Sequence, residues 1–89
     1  MTKRNRLEIL RDILGIVQNN NGIKPTPLLR QSNISSTRFK KYFNEITEKK
    51  FVKEVRGSRG EKLIVLTGNG NKFLEKYKTI VSFIEEFEL

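Results

Sequence analysis

Ser35, Ser36, Thr37, Arg38, Lys40 and Lys41 fall within seven residues of one another in SNISSTRFKKYFNEI, residues 32–46. Small hydroxyls followed by cations supply hydrogen-bond donors, acceptors and fixed positive charge. Those groups hold and read an anion; they do not break bonds. A second set, Arg56, Ser58, Arg59 and Lys62, surrounds the glycines of RGSRG. Catalytic chemistry has almost nothing to start from. The chain has no histidine and no cysteine, so the commonest general base, the commonest metal ligand and the thiolate nucleophile are all missing. The ten acids form no paired constellation and read mainly as surface partners of nearby lysines. No metal and no cofactor is implied.

The charge balance points the same way. There are 18 Lys and Arg against 10 Asp and Glu, a formal net charge of +8 in 89 residues. The excess is uneven. Residues 1–78 hold all 18 cations and seven acids, for +11, whereas residues 79–89 hold Glu85, Glu86 and Glu88 and no cation, for −3. A basic body on a small protein implies a polyanionic partner. The apolar content, 36% of residues, includes no run long enough to span a membrane. Nor does a signal-peptide pattern open the chain. The expectation is a cytoplasmic, nucleoid-associated protein with no membrane partner and no inferred small-molecule ligand.

The elements that must position these residues follow from apolar spacing. Leu7, Leu10, Ile13, Leu14 and Val17 predict a helix over about 5–19, ended by the NNNG turn. KPTPLLRQ predicts a short second helix with Thr26 as its cap and Pro27 at its first position. Ser32-Asn33 is a turn and Ile34 a plug. Ser35 caps a third helix over about 36–49 that turns Phe39, Tyr42, Phe43 and Ile46 inward. FVKEV and EKLIVL flank RGSRG as a β-hairpin, with Ile64 and Leu66 inward and Val65 on the other face. Thr67 caps a last helix whose start is weakened by Gly68 and Gly70. The order α-α-α-β-β-α, α+β but mostly α, is that of a winged helix-turn-helix with RGSRG as the wing tip.

In that architecture the third helix lies in the major groove of a DNA duplex, and its start offers free N–H groups to phosphate. Arg38 has the fork to grip a guanine or a phosphate. The wing cations reach backbone or minor groove. Lys3, Arg4 and Arg6 are further candidates for phosphate contacts. Single-stranded nucleic acid or RNA would want exposed aromatic platforms, and the aromatics here sit on apolar stripes.

The last helix carries a second expectation. Phe73, Tyr77, Ile80, Ile84 and Phe87 are spaced 4, 3, 4, 3, with Leu74 and Val81 widening the stripe. A domain of this size cannot cover all of it, so a homodimer through Phe73, Tyr77, Ile80, Val81, Ile84 and Phe87 is expected. Lys72, Lys76 and Lys78 lie early in the helix, and the three glutamates lie at its end. An antiparallel pair would set each acidic end beside the partner's lysines. Residues 1–67 then form the DNA-binding unit and 68–89 the dimerisation helix continuous with it.

Taken together, RLEILRDIL, the SNIS turn, RFKKYF, FVKEV, VLTGNG and KFLEKYK resemble the archaeal winged-helix DNA-binding family that dimerises through a C-terminal antiparallel coiled coil. That family includes the small "ten-a" chromatin-type proteins and related transcription regulators. The resemblance implies duplex binding by a homodimer through the positions matching Ser36, Thr37, Arg38, Lys40, Lys41, Arg56 and Arg59. The chain departs from the family pattern at Lys50, where a glycine is usual, at Gly-Asn-Gly after Thr67, and in a short last helix. A moderate +8 favours a transcription regulator over a chromatin protein. A winged helix reused as a protein–protein module is the third reading.

Overall fold

A computed structural model describes residues 5–88. Among them the order is α1 (Arg6–Asn20), α2 (Pro25–Ser32), α3 (Ser36–Glu48), β1 (Val52–Arg56), β2 (Lys62–Leu66) and α4 (Gly68–Glu86). The winged helix-turn-helix topology expected from the sequence is therefore present.

Each boundary has a local cause. Asn5 opens α1 with a reciprocal capping box: its side chain accepts the Glu8 N–H, and the Glu8 carboxylate accepts the Asn5 N–H. Asn21 closes the helix in the left-handed conformation, with φ 50°. The second helix starts two residues earlier than expected. Lys24 is its cap residue without a side-chain bond, and Pro25, not Pro27, is its first residue. Thr26 therefore lies inside the helix. Both prolines are tolerated because the first N–H that α2 uses is that of Leu28, donated to the Lys24 carbonyl at 3.2 Å. Asn33 takes the left-handed turn between α2 and α3, with φ 58°, and the Ser35 hydroxyl caps α3 by accepting the Arg38 N–H.

Ile9, Leu10, Ile13, Leu14 and Val17 of α1 form the centre of the core, with Leu28, Phe39, Tyr42, Ile46, Val52 and Ile64 packed around them. Leu7, expected in that stripe, is exposed, and Ile9 takes its place. Leu10, Ile13, Leu14 and Val17 are buried as expected. Phe43 is half-buried and stacks on Phe39 with ring centroids 5.4 Å apart. Ile34 is also half-buried against the core.

The hairpin pairs Val52 with Leu66 through Arg56 with Lys62 in regular antiparallel register. Ile64 faces the core as expected. A third piece of sheet was not foreseen. Ile23, buried in the α1–α2 loop, exchanges both backbone hydrogen bonds with Ile64, at 3.0 and 2.8 Å. One residue between Gly22 and Lys24 gives no periodic signal, so the sequence reads only as a turn.

The end of α3 and the start of α4 are clamped together. Lys50 is left-handed, with φ 59°. A side chain there costs on the order of 1 kcal/mol. The Thr67 hydroxyl donates to the Lys50 carbonyl at 2.6 Å, and the Thr67 N–H donates to the Phe51 carbonyl at 3.0 Å. The same hydroxyl accepts the Gly70 N–H at 3.1 Å and so caps α4. Gly70 is buried in this junction. A methyl group there would overlap the Phe51 carbonyl oxygen and lie 2.7 Å from Leu66 Cδ1. The Gly-Asn-Gly start weakens helix propensity, but its second glycine is what lets α4 seat on the sheet.

Candidate nucleic-acid interface

Burying Phe39, Tyr42 and Ile46 fixes the rotation of α3, and the rest of its first two turns must then face outward. Ser35, Ser36, Thr37, Arg38, Lys40 and Lys41 are all exposed. Among the described residues, Arg38 and Lys40 side chains have no hydrogen bond or ion pair, and Lys41 lies over the Tyr42 ring at 5.6 Å. The first turn of α3 carries no acid. The α3 start therefore presents hydroxyls, unpaired cations and open backbone N–H groups on one face, a chemistry suited to phosphate oxygens and base edges.

The wing is a second cationic element. Arg56, Ser58, Arg59 and Lys62 are exposed. Arg56 and Lys62 stand directly opposite each other in the hairpin register, on the same face. Like charges so placed destabilise a hairpin. Their repulsion is eased locally: Lys62 lies 3.8 Å from the Glu54 carboxylate, and the Arg56 guanidinium donates to the Gly60 carbonyl at 3.3 Å. Glu61 sits inside the tip and accepts the Arg59 N–H at 2.9 Å. That bond, then the residue's own N–H and the more distant Lys24, hold its carboxyl below the ordinary value of 4.5, against a small opposing effect of burial. A lowered carboxyl stabilises the tip above its unfolded pKa, and the contribution is lost as pH falls through the lower folded value.

The acids were expected to pair mainly with neighbouring lysines; Glu54 does so with Lys62, but Glu45 and Asp12 pair with arginines. Arg6 forks onto Glu45 of α3, with Nε donating to Oε1 at 3.2 Å and the second nitrogen donating to Oε2. Asp12 pairs with Arg11 at 2.8 Å. Arg6 thus fastens the start of α1 to α3, which sequence spacing could not reveal across 39 positions. Lys3 and Arg4 lie outside the described residues.

The last helix has two apolar faces. Phe73 and Leu74 pack against the core, the Phe73 ring lying 5.2 Å from Phe51 and 6.2 Å from Tyr77. Tyr77 in turn receives the Arg11 guanidinium at 5.2 Å, and Val81 is half-buried in the same α1–α4 groove. The other face is open. Ile80, Phe83, Ile84 and Phe87 keep 58%, 54%, 40% and 57% of their surface exposed, at i, i+3, i+4, i+7 spacing. Phe83 lies outside the 4, 3, 4, 3 seam but shares its open face, its ring 4.8 Å from that of Phe87.

Among the described residues, no three His, Cys, Asp or Glu side chains gather to hold a metal ion. No described helix is long and apolar enough to cross a membrane.

With this geometry established, comparison with known proteins gives a consistent picture. Curated protein sequences give no significant match. Solved structures do. MepR, a transcription regulator of the Staphylococcus aureus multidrug efflux pump MepA, superposes with a TM-score of 0.74 at 17% identity, over 89% of this chain and 60% of that one. This chain therefore spans under two thirds of that regulator's length. Sso10a-2, a DNA-binding protein from Sulfolobus solfataricus, superposes with a TM-score of 0.74 at 16% identity, over 96% of this chain and 86% of that one. F-93 of SSV1 gives 0.65 at 26% identity, over 98% of this chain and 97% of that one. The last two support the resemblance to archaeal winged-helix proteins drawn from the sequence motifs. A family profile described as winged helix-turn-helix matches residues 3–85. That match points to a non-enzymatic protein, and it covers nearly the whole sequence: the chain belongs to the winged helix-turn-helix family.

Proposed function

We propose that this protein is a homodimeric, double-stranded DNA-binding transcription regulator. In this reading α3 enters the major groove. Ser35, Ser36, Thr37, Arg38, Lys40 and Lys41 contact base edges and phosphates, while Arg56, Ser58, Arg59 and Lys62 of the wing track the backbone or minor groove. The observation that carries the reading is the unpaired Arg38 and Lys40 beside exposed hydroxyls at the start of α3, on its solvent-facing side. Solved neighbours of the fold include a transcription regulator and a DNA-binding protein, which supports the same class.

The open stripe of Ile80, Phe83, Ile84 and Phe87 supports dimerisation through α4, since so much adjacent apolar surface is unusual on a monomer. Antiparallel pairing lets Glu85 and Glu86 meet the partner's lysines. An α4 of 19 residues, roughly 30 Å long, is long enough in an antiparallel pair to hold two α3 helices about one duplex turn apart. A soluble, nucleoid-associated location in the cytoplasm goes with this function.

Sedimentation velocity with a labelled 30-base-pair duplex tests it. Two chains travelling with each duplex is the expected result. One chain per duplex would overturn the dimer, and free duplex at low salt would overturn DNA binding. Sequence-independent affinity would move the protein to the chromatin-type reading.

A further inference from the structure

The wing tip holds a carboxylate at the place where the proposed partner is a polyanion. By charge alone, Glu61 should oppose binding. Its geometry argues the reverse. The tip is a turn in which Gly60 N–H donates to the Gly57 carbonyl at 3.0 Å, with Gly60 left-handed at φ 78°. Gly57 N–H closes the strands by donating to the Glu61 carbonyl at 2.8 Å. Two glycines in a short exposed loop make it costly to order. One side chain offsets that cost. Glu61 Oε1 accepts the Arg59 N–H at 2.9 Å, inside the turn, and fills the space above Gly57. A methyl group on Gly57 would overlap Oε1 and come within 2.5 Å of the Glu61 Cδ. The absence of a side chain at Gly57 is thus matched to the presence of the carboxylate.

We propose that Glu61 is a positioning residue for DNA binding, locking the tip so that Ser58 and Arg59 are presented in one conformation. It rests on the DNA-binding reading above. Pre-ordering a loop strengthens binding by removing an entropy loss that the complex would otherwise incur. The two accounts of Glu61 differ in sign, so two variants separate them. Glu61→Ala removes the carboxylate and raises the net charge by one. Gly57→Ala keeps the charge and displaces the carboxylate from the turn.

Fluorescence anisotropy on a 30-base-pair duplex at fixed salt gives the affinities. Backbone ¹⁵N relaxation gives the order of the Arg59 and Gly60 amides without DNA. Both variants are expected to bind about threefold to tenfold more weakly, the scale of one lost hydrogen bond. Both should also loosen the two amides, with unchanged thermal melting of the core. Tighter binding by Glu61→Ala, or unchanged binding by Gly57→Ala, would overturn the proposal. If the unmodified protein fails to bind duplex, the DNA reading falls first. The amide order then judges the positioning role alone, and tips as rigid as in the unmodified protein would overturn it.

Discussion

Two glycines in α4 separated by a single residue, Gly68 and Gly70, should respond in opposite directions to the same substitution. Gly68→Ala adds a methyl group with nothing within 4 Å. Ordinary helix propensity then applies, and the change stabilises by up to about 1 kcal/mol. Gly70→Ala receives the same benefit but drives its methyl into the Phe51 carbonyl oxygen and the Leu66 side chain. The leucine can rotate; the carbonyl cannot, because it also accepts the Thr67 N–H at 3.0 Å. Relief requires α4 to lift from the start of β1. Overpacking costs typically 1–3 kcal/mol, and a clash with an immobile backbone carbonyl belongs in the upper part of that range, about 2–3 kcal/mol, so the net loss is about 1–2 kcal/mol after a propensity gain of about 1 kcal/mol. For a domain of this size that lowers Tm by roughly 4–16 °C. Thermal melts followed by circular dichroism, at one protein concentration because a dimer couples concentration to stability, measure both variants. A Gly70→Ala protein as stable as the unmodified chain, or both variants moving together, would refute the clamp between α4 and the α3–β1 turn.

Three other perturbations have equally definite outcomes. Lys50→Gly relieves a left-handed side chain and should raise stability by about 0.5–1 kcal/mol in a urea titration, since Lys50 contributes only its carbonyl to the Thr67 bond. Arg38→Ala should weaken duplex binding by about 1–3 kcal/mol and relax preference at one base pair, read by competition with point-mutated duplexes; equal loss on every sequence would assign the arginine to phosphate. Ile84→Asp places a charge in the middle of the open α4 stripe and should give monomers by sedimentation equilibrium, with a steep drop in DNA affinity because linked half-sites bind far better than single ones.

The fold was legible wherever a pattern repeats. Helical spacing gave α1, α3 and α4, and Asn33 and Ser35 gave the tight turn, because caps and apolar stripes are local signals. What escaped was mostly tertiary. The Ile23 bridge is one residue long. The Arg6–Glu45 pair joins positions far apart in sequence. Gly70 looked like a defect in a helix start until the Phe51 carbonyl appeared beside it. Glu61 looked like one acid among lysines until its carboxylate was found inside the turn. The early start of α2 is a different lesson, since Pro25 and Pro27 both satisfy the first-turn rule and only the chain path chooses between them. The candidate interface itself was readable as composition: all ten residues expected to face DNA are exposed.

The most direct of these is the affinity for a random-sequence 30-base-pair duplex across a series of salt concentrations. Each phosphate neutralised contributes a slope of about −0.9 in log affinity against log salt. Six exposed cations on α3 and the wing set a limit of about −5 per chain by the same relation. A straight line with a slope between about −2 and −5 per chain is the predicted result. Absence of binding even at low salt would contradict the assignment of α3 and the wing to DNA.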